Sequence, residues 1–142
     1  MMAIDDYLEK PYWLIDILPK QVPANSRGQY FKLEKYWLEQ PQFGSICHKF
    51  ACLLMKLNCY YEVSIANADG AVSVSLQPES LEKMLIGGDA VYMVMDSENA
   101  MIGFNGDDHY MTLYNPSNDL LELISLLASS EGLFVWKSDN KE

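Results

Sequence analysis

The sequence predicts an α+β fold, with a mainly antiparallel sheet of about six to seven strands and about four helices packed on it. Three observations lead there. Apolar runs of strand length are joined by turn residues, and Asn105-Gly106 is a strong hairpin signal among them. Two stretches, 29–40 and 43–58, switch to the helical period. Nearly half of the 142 residues (49%) are apolar or aromatic, enough for one domain to bury a core without disulfides or a structural metal. We expect a single domain over 1–142, since no repeat, low-complexity tract or long linker divides the chain.

Taken in order, residues 12–18 form an apolar strand whose one charge is Asp16, ended by Pro19. Residues 19–28 hold two prolines with Asn25, Ser26 and Gly28, and predict a loop. Over 29–40, Tyr30, Leu33 and Trp37 make the apolar stripe of a helix with Glu34, Lys35 and Glu39 opposite, stopped at Pro41. Over 43–58, Phe43, Ile46, Cys47, Phe50, Leu53, Leu54 and Leu57 form an unbroken second stripe. Residues 60–66 and 71–76 alternate as a hairpin around the turn 67–70, with one wet face. Pro78 opens a short helix that Gly87-Gly88 ends.

Residues 90–95 are apolar throughout, which predicts a central strand covered on both faces. Strands near 100–104 and 109–114 complete a meander with it. Asn115 is the expected cap of a helix over 117–130, with Pro116 in its first turn. Its narrow polar stripe predicts a mostly buried helix. Residues 133–137 make a last strand.

Acids outnumber Lys and Arg 20 to 10, a net charge of -10. Phosphate repels such a chain, which argues against nucleic acid and anionic membranes as partners. The charge is polarised. Residues 1–58 carry six acids and seven bases, whereas 59–142 carry fourteen acids and three bases, and no Lys or Arg stands between Lys83 and Lys137. Three cysteines, an N-terminus without a long apolar run, and the absence of a membrane-length apolar stretch point to a cytoplasmic setting.

The meander runs up, down and up, so Asp107, Asp108 and His109 at its second tip lie beside Asp89 at the start of its first strand. Three carboxylates and an imidazole could hold a divalent cation or pair a histidine base with an orienting acid. Asp and Asn also populate hairpin tips for their turn geometry alone. Asp96 and Glu98 lie about one strand length away, ~17 Å, and belong to another end. His48 and Cys52 stand four apart on one helix face, which gives two potential metal ligands or a thiol near a base. On the first helix, Tyr30, Phe31, Trp37 and Leu38 are the candidate interface, because Phe31 and Leu38 fall off the main stripe and need cover.

No cofactor motif is present. The first expectation for function is a non-enzymatic protein-binding module of the inhibitor or immunity kind, whose acidic half engages a basic protein. The alternative is a small enzyme or divalent-metal-binding protein using Asp89, Asp107, Asp108 and His109. A homodimer through a sheet edge or the aromatic helix is a further expectation.

Overall fold

The computed structural model describes residues 3–67, 72–73, 77–88, 90–106 and 108–137. A short helix α1 (Ile4–Leu8) leads into β1 (Tyr12–Asp16). Helices α2 (Arg27–Trp37) and α3 (Gln42–Asn58) follow, then β2 (Ser64–Asn67), β3 (Val72–Ser73) and α4 (Pro78–Ile86). The meander β4 (Val91–Met95), β5 (Ala100–Phe104) and β6 (Tyr110–Tyr114) precedes α5 (Asn118–Ser130) and β7 (Phe134–Trp136). The strands form one sheet in the order β3-β2-β4-β5-β6-β1-β7, with every neighbouring pair antiparallel. The fold is α+β. The expected turn at 67–70 and the tail of the strand expected over 71–76 fall largely outside the described residues.

One face of the sheet meets α3, α4 and α5. Ile15, Ile65, Val91, Met93, Met95, Ala100, Ile102, Phe104, Met111 and Leu113 point into it from the strands. Phe43, Ile46, Phe50, Leu53, Leu54 and Leu57 of α3, Leu81 and Leu85 of α4, and Leu120, Ile124 and Ala128 of α5 close it from above. Phe104 lies between Phe43, stacked at 6.5 Å, and Phe50, edge-on at 5.5 Å. The i, i+3, i+4, i+7 stripe of α3 is the spine of this core. No helix among the described residues is long and apolar enough to cross a membrane.

Four expectations need correction. The strand covered on both faces is β5, buried at all five positions, whereas β4 alternates between buried and half-buried. A run of apolar residues does not reveal which strand of a meander has neighbours on both faces. In α2, Leu33 is 47% exposed, and Glu34 rather than Leu33 lies inward beside Tyr30. The cause is a buried histidine, described below, that draws the carboxylate in. Helix α5 buries only Leu120, Ile124 and Ala128, and Leu126 is 65% exposed. Its cap is Ser117, whose hydroxyl accepts from the Leu120 N–H at 3.1 Å. Asn115 instead takes a left-handed turn (φ 58°) and donates its side-chain amide to the Asn99 carbonyl.

Helix α1 has no counterpart in the sequence reading. Five residues carry too little period to register, and the element is held partly by the Asp6 carboxylate accepting from the Ala3 N–H.

The corner between α4 and β4 touches the turn between β5 and β6. A methyl group added at Gly106 would overlap the backbone of Gly88, itself in a positive-φ conformation (85°). Backbone meets backbone there, so neither side can yield cheaply. Gly106→Ala is expected to destabilise the fold by about 1–3 kcal/mol, measured by urea unfolding, with Gly28→Ala, where a Cβ meets nothing within 4 Å, as the unstrained comparison.

Candidate functional site

The second face of the sheet is not covered by the large helices. Alternation puts Tyr12, Leu14 and Asp16 of β1 on it, with Tyr110, Thr112 and Tyr114 of β6 directly opposite in register. Trp136 and Phe134 extend the same rows from β7, pairing with Leu14 and Asp16. Thr112 is followed across the sheet by Gly103 of β5 and Tyr92 of β4. A Cβ at Gly103 would press within 3.3 Å of the Tyr92 ring and 3.5 Å of the Tyr114 ring. Glycine there lets two tyrosines lie over the middle strand.

The β1 and β6 rows, with Trp136, line a cavity of about 460 Å³. Its wall includes Tyr12, Tyr30, Tyr110 and Tyr114, the carboxylates of Asp16 and Asp108, and the indole of Trp136. Leu8 of α1 closes one side. No lysine or arginine among the described residues lines it. A smaller cavity of about 180 Å³ shares Asp16, Gln21, Tyr30 and Trp136 with it and adds Phe31 and Lys20. The two form one trough bounded by β1, β7, the loop 17–23 and α2.

The trough ends on a buried polar network. His109 and Asp16 are 1% and 4% exposed. His109 Nδ1 lies 3.2 Å from Asp16 Oδ1, and the same oxygen accepts from the Ile17 N–H at 2.7 Å. A carboxylate only accepts, so Nδ1 carries a proton. Nε2 meets the Tyr30 hydroxyl at 2.7 Å and the partly exposed Glu34 carboxylate at 3.3 Å. Tyr30 and Glu34 are one helical turn apart on α2, so both reach the ring together. The rings of Tyr30, Trp37 and Tyr110 surround the imidazole at 5.5–5.9 Å between centroids.

Burial alone would hold His109 neutral. The hydrogen bond and charge of Asp16, with the charge of Glu34, outweigh it and raise the imidazole above its ordinary 6.5. The surrounding phenols are raised as well, which for them favours the neutral form. Burial, then Glu34 and Asp16, hold Tyr30 well above the usual phenol range, and burial with Asp108 raises Tyr110. The raised values favour the neutral phenol, a hydrogen-bonding and stacking group.

Of the candidate polar cluster, Asp89 and Asp107 lie outside the described residues. Asp108 lines the cavity, and His109 faces inward to Asp16 and Tyr30. Among the described residues no group of three or more His, Cys, Asp or Glu side chains is placed to hold a metal. Of the candidate interface, Tyr30 binds His109, while Trp37 and Leu38 pack against the core. Phe31 is 52% exposed at the rim of the smaller cavity.

Sequence reasoning missed Asp16, Glu34 and the row of Tyr12, Tyr110, Tyr114 and Trp136. Two signals were present. Asp16 is the lone charge in an apolar strand run, and a buried charge needs a partner. Tyr110-x-Thr112-x-Tyr114 and Tyr12-x-Leu14-x-Asp16 alternate on one face. The chain matches no protein-family model, no curated protein and no solved structure.

The raised His109 fixes the sign of a pH effect. A group whose pKa is higher folded than unfolded contributes stability that is complete below its unfolded value and is lost as pH rises through the folded one. Unfolding free energy is expected to fall as pH climbs from 6.5 through the raised value. His109→Gln removes that slope. Asp16→Asn, which breaks the buried pair, costs about 3–5 kcal/mol. Urea unfolding across this pH range measures all three.

Proposed function

We propose that this protein is a non-enzymatic binding module, and that the tyrosine-lined trough receives a basic segment of a protein partner. One observation carries the reading: the larger cavity has carboxylates and four aromatic phenols in its wall and no described cation. An ammonium or guanidinium group entering it meets opposite charge from Asp108 and π faces from Tyr110, Tyr114 and Tyr12. Tyrosine and tryptophan are also the residues that anchor protein partners at low entropic cost.

The indole N–H of Trp136 adds a second element. It is buried at the cavity wall and has no hydrogen-bond partner among the described residues. A peptide carbonyl could take up this donor if the Trp136 ring shifts to present it, which favours a peptide over a free metal ion. The acidic second half of the chain would steer a cationic partner toward the face. An inhibitor or immunity-like role, in which an acidic surface blocks a basic protein, is the form of binding we favour. Three unpaired cysteines fit a cytoplasmic home.

The test is a titration followed by tryptophan fluorescence, using arginine-rich and glutamate-rich peptides of equal length. The arginine-rich peptide is expected to bind saturably at low salt and to weaken as salt rises. Asp108→Asn is expected to weaken it about tenfold. Equal response to both peptides, or no saturation with the arginine-rich one, overturns the reading.

A further inference from the structure

A second cluster lies on the opposite side of the molecule from the tyrosine face, on the outer surface of α3 and α4. His48 and Cys52 are four residues apart on α3 and share a face. The Cys52 Sγ lies 3.6 Å from His48 Nε2. His48 Nδ1 lies 2.6 Å from the Glu82 carboxylate of α4. The carboxylate can only accept, so Nδ1 carries the proton and Nε2 presents its lone pair to the thiol. The order is thiol, imidazole, carboxylate: a nucleophile within reach of a base whose tautomer a third group sets.

We propose that Cys52, His48 and Glu82 form a surface site for thiol–disulfide exchange, at which Cys52 takes up a neutral or cationic low-molecular-weight disulfide. His48 Nε2 accepts the Cys52 proton as Sγ attacks one sulfur of the reagent. The new bond is Cys52 Sγ–S, and the reagent's S–S bond breaks. The departing thiolate takes the proton back from the imidazolium. Cys52 is oxidised to a mixed disulfide, and the other half of the reagent leaves as a reduced thiol. Glu82 fixes the ring and stabilises the imidazolium between these steps.

The setting selects the class of reagent. His48 is 64% exposed and Glu82 37% by side chain, so the site is open to small molecules in solution. Burial, then Glu131, hold the Cys52 thiol above its ordinary value despite Lys56 nearby, and Glu82 adds to the effect. Cys52 therefore rests as a thiol, and its reaction depends on the base at the moment of attack. Glu82 and Glu131 repel an anionic disulfide. Lys56 offsets Glu131 through their ion pair, so Glu82 carries most of this selection.

The chain contains its own references. Cys59 is exposed, and the partner shown for its thiol among the described residues is the Met55 carbonyl rather than an imidazole. Cys47 is fully buried, and burial, then Glu82, push its thiol up to about 12. The experiment treats the intact protein at neutral pH with cystamine or 2-hydroxyethyl disulfide and follows each cysteine by peptide mass spectrometry. Cys52 is expected to react roughly tenfold or more faster than Cys59, although Cys59 is more exposed. That advantage should collapse well above about pH 8.5, where a free thiol is itself ionised.

His48→Asn is expected to bring Cys52 to the rate of Cys59 or below. Glu82→Gln is expected to give an intermediate rate, since the amide still accepts from Nδ1–H but loses its charge. Cys47 must stay unreactive, which certifies that each variant is folded. If His48→Asn exposes Cys47, the pH profile of the unaltered protein decides alone. The proposal is overturned if Cys59 matches or outpaces Cys52 at neutral pH, or if folded His48→Asn leaves the Cys52 rate unchanged.

Discussion

A buried charge must be answered, and Asp16 is the charge on which this structure turns. It sits at the end of β1, 4% exposed, where an unpaired carboxylate would cost several kcal/mol. His109 answers it from the start of β6. Because the imidazole is buried as well, its second nitrogen also needs a partner. That demand is met from α2 by Tyr30 and Glu34. One charge in one strand thereby decides where a helix from another part of the chain must lie. It also explains why Glu34 turns inward and Leu33 outward, against the apolar pattern of the helix.

The sheet divides its work between its faces. The face under α3, α4 and α5 is aliphatic and aromatic, closely packed, and supplies the bulk of the hydrophobic stabilisation. The other face trades packing for chemistry. Its rows of Tyr, Thr and Trp are half-buried around the buried Asp16, and Gly103 leaves room for rings to lie across the middle of the sheet. The His109 network ties helix α2 along one side of that face, beside the packing of Trp37 against the core. The trough and the buried pair are thus one construction. The thiol site on the outer surface of α3 and α4 shares no residue with it, so the two proposals stand or fall separately.

The architecture was legible because its signals are local. The hairpin dipeptide Asn105-Gly106, the Pro78 start, and the stripe of α3 each depend on a few neighbouring residues. The His48–Cys52 pair was legible for the same reason, since four residues on a helix determine a shared face. The third member, Glu82, comes from α4 and was invisible. The Asp16–His109 pair spans 93 positions, and nothing local foretells it except the oddity of one charge in an apolar run. The exchange of β4 for β5 as the doubly covered strand has the same origin. Neighbours across a sheet are set by topology, and composition cannot express that. The tyrosine face was half legible: its alternation is plain in 110–114, but its joining to β1 needs the strand order.

The most direct test of this construction is NMR titration of the imidazole of His109, with ring nitrogen shifts reporting each site. The structure predicts an imidazolium protonated on both nitrogens, persisting above the ordinary histidine value of 6.5. On deprotonation the proton should remain on Nδ1, facing Asp16. A His109 that titrates at or below 6.5, or that loses its Nδ1 proton first, would contradict the claim that the buried Asp16–His109 pair holds α2 and shapes the trough.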